Sequence, residues 1–274
     1  MNRPRAFTLI ELLVVIAVMA VLIGLVAPSL ASARRTALAT QASSAARTLM
    51  QSYTVYSNDY KGNVIPGYLP SLTNGRPLTI RDQWGNEFSG PLAERWVYRL
   101  APYFDYGWGG ATHVNRRTEL LRQQQDLLNE GGPNLWAYYV SVFPSFGINY
   151  RYVGGNFTND AEIRQNHHVT RIDQPTRPDH LIVFASARFW DAQPGQPLGP
   201  IVEGFHRVEP PPLGATFHET DTPPTFGCVH PRYEGKALTS FMDGHVGLLK
   251  PSEIVDRTWW SDPAARKGDP NWQP

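Results

Sequence analysis

Residues 7–27 are almost unbroken hydrocarbon, from Phe7-Thr8-Leu9-Ile10 through Val14-Val15-Ile16 to Leu25-Val26-Ala27, and a single acid, Glu11, interrupts them. As a helix rising ~1.5 Å per residue, residues 7–30 cover roughly 36 Å, enough to cross a hydrocarbon layer of about 30 Å. A carboxylate held in lipid costs about 2.5 to 3.5 kcal/mol on insertion scales, so Glu11 calls for a positive partner. After Pro28 the pattern turns from uniform to periodic. Residues 31–60 hold no Gly or Pro, and Leu38, Ala42, Ala45, Leu49, Tyr53 and Tyr56 recur at steps of three or four. Arg34, Arg35, Gln41 and Arg47 fall on other faces. The pattern predicts one long helix, membrane-compatible at first and amphipathic over 31–60, whose apolar stripe needs a cover. Pro28 removes a backbone donor and predicts a kink or local melting between Gly24 and Pro28. Ser57-Asn58-Asp59-Tyr60-Lys61-Gly62-Asn63 supplies the stop.

Past residue 61 the apolar runs shorten. Residues 66–113 are punctuated by Pro66, Pro70, Pro77, Pro91 and Pro102 and read as loops with short strands, with a short helix over 94–103. Residues 116–130, with Leu120, Leu121, Leu127 and Leu128 ahead of Gly131-Gly132, predict a second helix with a glycine stop. Strands are predicted over 137–143, 147–153 and 180–187 from their Val, Ile, Tyr and Phe content. Residues 191–227, rich in Pro and Gly, read as long loops. Residues 236–243 and 245–249 read as a closing hairpin turning on Asp243-Gly244 as a type I′ turn. A short helix over 253–260 and a loose tail over 261–274 complete the prediction.

The stretch Arg5-Ala6-Phe7-Thr8-Leu9-Ile10-Glu11-Leu12-Leu13-Val14-Val15-Ile16 resembles the processing motif of type IV prepilins and type II secretion pseudopilins. The resemblance implies cleavage between Ala6 and Phe7 by a prepilin peptidase and N-methylation of Phe7. The family's glutamate falls on Glu11 and its helix proline on Pro28, while Ala6 stands where the family usually has Gly. A free amine on Phe7 could neutralise Glu11 of a neighbouring subunit, because a paired buried charge is far less costly than a lone one. The implied organisation is a leader over 1–6, a membrane and polymerisation helix over 7–30, its amphipathic continuation over 31–60, and a globular β-rich domain over 61–274. The implied fold is α+β, pilin-like, with the long helix packed on an antiparallel sheet with long loops. The implied role is that of a pilin or pseudopilin subunit, partnered by its own kind and related pilins. It would sit single-pass in the inner membrane, its ectodomain periplasmic or extracellular, and enter a surface filament. The alternative is a minor pilin or adhesin whose loops and Trp residues meet a glycan or surface polymer.

A formal net charge of +1 and the lack of any basic run interleaved with aromatics give no ground for a nucleic-acid partner. Cys228 is the only cysteine, so no intrachain disulfide can tie the loops. Packing or a bound ion must hold them. Residues 230–246, from His230 to Asp243-Gly244-His245-Val246, resemble the C-terminal H…DG signature of pilin-like proteins of planctomycetes and verrucomicrobia, as residues 56–66, 146–155 and 175–185 resemble other parts of that group. An Asp often follows the last of these strands in that group, whereas this chain has Ser186. Two readings of the signature stay open. Asp243-Gly244 is a turn with His230 bracing the loop, or Asp243 offers oxygen to Ca²⁺. His218, Cys228, His230 and His245 could in principle hold Zn²⁺, although no C-x-x-C or H-x₃₋₅-H spacing supports it. No G-x-S-x-G, G-x-x-x-x-G-K, H-E-x-x-H or G-x-G-x-x-G is present, so no enzyme is predicted. His167-His168 reads as a solvated pair.

Overall fold

In the computed structural model, which describes residues 9–70, 72–73, 76–157, 167–191 and 197–274, Leu9–Asp59 forms one 51-residue helix, α1. It runs through Gly24 and Pro28 as helix, so the local melting predicted there is not found. The proline ring fixes φ at a helical value and deletes a single hydrogen bond, which the ladders on either side outweigh. The chain divides into two compact units, 1–40 and 41–274.

In the first unit every residue from Leu9 to Leu38 is exposed. Leu38, the first predicted member of the buried stripe, is 37% exposed. In the second unit the rest of the stripe is buried as predicted: Ala42, Ala45, Leu49, Tyr53 and Tyr56, joined by Ala46 and Met50. Their cover is a sheet. The Tyr53 ring meets Phe184 edge-on with centroids 5.8 Å apart, and Trp96 packs on Phe184 at 5.0 Å.

Two small hairpins follow α1: β1 (Leu72–Thr73) with β2 (Arg76–Pro77), and β3 (Ile80–Arg81) with β4 (Glu87–Phe88). Short helices α2 (Pro91–Glu94), α3 (Trp96–Leu100), α4 (Trp108–Ala111) and α5 (Thr118–Arg122) lead to α6 (Gln124–Val142). The predicted glycine stop is real, since Gly132 is non-helical at φ 66° and ψ −165°. The strand predicted over 137–143 is instead helix. Pro133 restarts the helix where its missing N–H costs nothing, and Trp136, Ala137, Val140 and Ser141 are buried at helical spacing.

The main sheet contains β5 (Phe146–Asn149), β6 (Ile182–Ser186), β9 (Arg207–Val208), β10 (Ala237–Phe241) and β11 (Val246–Leu249) in the order β11-β10-β6-β5-β9. A separate pair joins β7 (Arg188–Trp190) to β8 (Ile201–Glu203). The sheet is antiparallel except at β5/β9, which is parallel. Strands β5, β6 and β10 are buried at every position. Both sheet faces are therefore covered, and only β6 reads as a nearly continuous apolar run, while β5 and β10 bury Asn149, Thr239 and Ser240 among their apolar residues. The strand predicted over 147–153 ends at Asn149, and the loop predicted over 191–227 contains β8 and β9.

The tail is packed, against the loose tail predicted. Helices α7 (Pro251–Ile254) and α8 (Asp262–Lys267) replace the single helix predicted over 253–260 and extend beyond it. Trp260 and Ala264 are fully buried, and Trp272 packs edge-on to Tyr152 at 6.0 Å. Asn149 at the end of β5 donates from Nδ2 to the Trp260 carbonyl at 2.9 Å and to the Ile182 carbonyl at 3.0 Å, which ties this tail to the sheet.

Candidate functional site

The N-terminal segment is built by helix propensity and by hydrocarbon. Leu9 to Leu30 holds Leu, Ile, Val, Met and Ala at nearly every position, all exposed around the whole circumference. A helix apolar on all sides has no solvated face to present, so its natural surroundings are lipid or other helices of its kind. Among the described residues this is the one helix long and apolar enough to cross a membrane. Glu11 lies in its first turn, where a carboxylate favours the positive end of the helix dipole. Pro28 sits within the same helix. Ala6 and Phe7, the predicted processing pair, lie outside the described residues.

The C-terminal signature resolves into two local devices. Asp243 and Gly244 form a hairpin tip, but not the two-residue type I′ turn predicted. The Phe241 N–H donates to the His245 carbonyl at 3.0 Å and the Gly244 N–H to the Phe241 carbonyl at 2.9 Å. Only Gly244 is left-handed, at φ 93°. This is a three-residue loop closed by a glycine bulge, the geometry that lets Asp243 keep an ordinary backbone. Its carboxylate accepts from His245 Nδ1 at 2.6 Å and from the His245 N–H at 3.1 Å. Among the described residues no group of three or more His, Cys, Asp and Glu is placed to hold a metal ion.

His230 is buried and braces its loop. Its backbone N–H donates to the Ser186 carbonyl at 2.8 Å, and the Ser186 hydroxyl donates back to the His230 carbonyl at 2.7 Å while accepting from the Leu238 N–H at 3.1 Å. Ser186, singled out only because it replaces an Asp, is thus the stitch that joins β6, β10 and the His230 loop. The imidazole Nε2 lies 3.2 Å from Glu219 Oε1. Burial first, then the nearby Arg232, Arg188 and Arg116, push the His230 pKa down to about 3, so this contact is a hydrogen bond of a neutral ring.

What sequence reasoning missed is the pair of arginines that tie the loops in place of sulfur. Arg188 on β7 is fully buried and donates to the carbonyls of Glu219 at 2.8 Å, His218 at 3.0 Å and Asp221 at 3.1 Å. Its guanidinium lies 4.5 Å from the Phe217 ring centroid. Arg232 donates to the carbonyls of Ala187 and Ser145, each at 3.0 Å. The planar fork spreads five donors over three nitrogens and can reach several carbonyls set apart from one another, whereas a lysine offers three donors on a single nitrogen. Cys228 is buried and its thiol is pushed up to about 12 by that burial, so it is an inert member of the core. One further expectation shifts: His168, predicted as half of a solvated pair, is buried against Phe157. Of the tryptophans only Trp84 is exposed.

A family model for the prokaryotic N-terminal methylation motif matches residues 1–27. No curated protein and no solved structure matches the chain. The chain thus carries a prepilin-type N-terminal methylation motif at the head of a membrane-compatible helix, followed by a pilin-like α+β domain.

Proposed function

We propose that the protein is a structural subunit, a pilin or pseudopilin, processed between Ala6 and Phe7 and polymerised through α1. The observation that carries this reading is the methylation motif over 1–27 joined to a helix whose apolar side chains from Leu9 to Leu30 all remain exposed. Cleavage removes Arg3 and Arg5 from the head of the helix and creates a protonated amine on Phe7. That amine, methylated, sits beside Glu11 of the next subunit and neutralises it within the packed helices. The first half of the helix rests in the inner membrane before assembly, with Gln41–Pro274 on the outer side.

The test is mass spectrometry of the mature N-terminus together with filament yield. The reading expects a chain beginning at N-methyl-Phe7. It also expects Glu11→Leu to insert normally, since the change removes the one costly group, yet to give few or no filaments. A mature chain that starts at Met1, or full filament yield from Glu11→Leu, overturns the proposal.

A further inference from the structure

The second unit holds a cleft of about 320 Å³ lined by Arg116, Arg117, Ile201, Glu203, Glu219 and His230. None of these residues belongs to the N-terminal helix, and the loop ties described above account for only part of them. We propose that the cleft binds a hydroxylated carboxylate, the chemistry of a sugar acid.

The charges around the cleft are not equivalent. Glu203 is held between Arg116 at 3.6 Å and Arg232 at 3.8 Å. Arg117 is faced by Asp191 and Glu203, and its guanidinium lies 5.2 Å from the Phe143 ring centroid. Arg116 is different. Its side chain is 87% exposed, only Nε approaches Glu203, and its two terminal nitrogens make no hydrogen bond among the described residues. A guanidinium with an open edge matches a carboxylate by two parallel hydrogen bonds. Glu219, also in the lining, is 72% exposed and uses one oxygen on His230, which leaves Oε2 to accept from hydroxyls. His230 is neutral, and its Nδ1 is buried with no hydrogen-bond partner. A polar lining of this kind, one open cation together with acceptors, suits a ligand with an anionic end and several O–H donors. Ile201, 37% exposed, supplies apolar surface for ring C–H groups. The volume is at the small end of the range for ligand sites and has room for one substituted ring.

The experiment is calorimetric titration of the full-length protein in detergent with sodium glucuronate, glucose and sodium acetate. Saturable binding of glucuronate is expected, with glucose and acetate each at least about tenfold weaker, because each lacks one half of the recognised chemistry. Arg116→Ala and Glu219→Gln should each weaken glucuronate by about tenfold, and unchanged thermal melts would show that both variants fold. No saturable heat with glucuronate overturns the proposal. Glucose or acetate binding as well as glucuronate, or Arg116→Ala binding as tightly as the parent, overturns it equally. The cleft lies within Gln41–Pro274, so its failure would leave the N-terminal reading untouched.

Discussion

At the scale of single residues, buried polar groups decide how this domain responds to mutation and acid. Arg188 serves three carbonyls from a fully buried position, so Arg188→Met should lower unfolding free energy by about 3 kcal/mol in a denaturant titration, through lost charge-assisted hydrogen bonds. Arg188→Lys should recover little of it, since one ammonium cannot reach three carbonyls in a plane. The histidines set the acid limit. His113 and His230 are held at a pKa of about 3 chiefly by burial, with Arg117 beside His113 and Arg232 beside His230, and His206 is lowered well below 6.5. The unfolded chain binds their protons first, so stability is full above the unfolded pKa and falls as pH drops below it. Thermal melts should be flat from pH 8 to 7 and decline below pH 6.5. The slope approaches about 1.4 kcal/mol per pH unit for each buried imidazole and persists until its native pKa is reached.

At the scale of elements, two left-handed glycines, one at the hairpin tip and one in a loop, separate two kinds of cost. Gly244 is left-handed, but a Cβ there would meet nothing, so Gly244→Ala should cost only the backbone penalty of about 1 to 2 kcal/mol. Gly227 is also left-handed, at φ 61°, and a Cβ there would collide with the Glu209 carbonyl, so Gly227→Ala should cost clearly more, read by the same melts. The long helix, β6 and the closing hairpin were legible because their patterns are long or end in strong turn residues. The helix over 133–142 was not. Ala137-Tyr138-Tyr139-Val140-Ser141-Val142-Phe143 is rich in residues that favour strands, and tertiary packing overrode that preference. Pro133 after a glycine stop and the spacing of Trp136, Ala137 and Val140 carried the signal. The packed tail was hidden for another reason: its Trp residues have no period, and only their burial against the sheet shows what they anchor. The methylation motif over 1–27 was legible in the sequence, whereas the Arg188 ties were not, since no spacing in sequence announces which carbonyls a guanidinium will reach.

At the scale of the whole molecule, the two compact units are built for different solvents. Residues 41–274 bury their apolar side chains in a sheet covered on both faces, while Leu9–Leu30 exposes them all. Deleting residues 1–40 should therefore convert a protein that requires detergent into one that stays in aqueous solution, with a circular-dichroism melt close to that of the parent. Aggregation of the truncated chain, or a melt far below the parent, would show that the helix's first half supports the domain.

The lone, buried Cys228 has a practical corollary. A fold closed by guanidiniums and tryptophans has nothing for an oxidase to join or a reductant to cut, so unfolding curves recorded with and without dithiothreitol should superimpose. The packing of residues 41–274 is then indifferent to the redox poise of its surroundings.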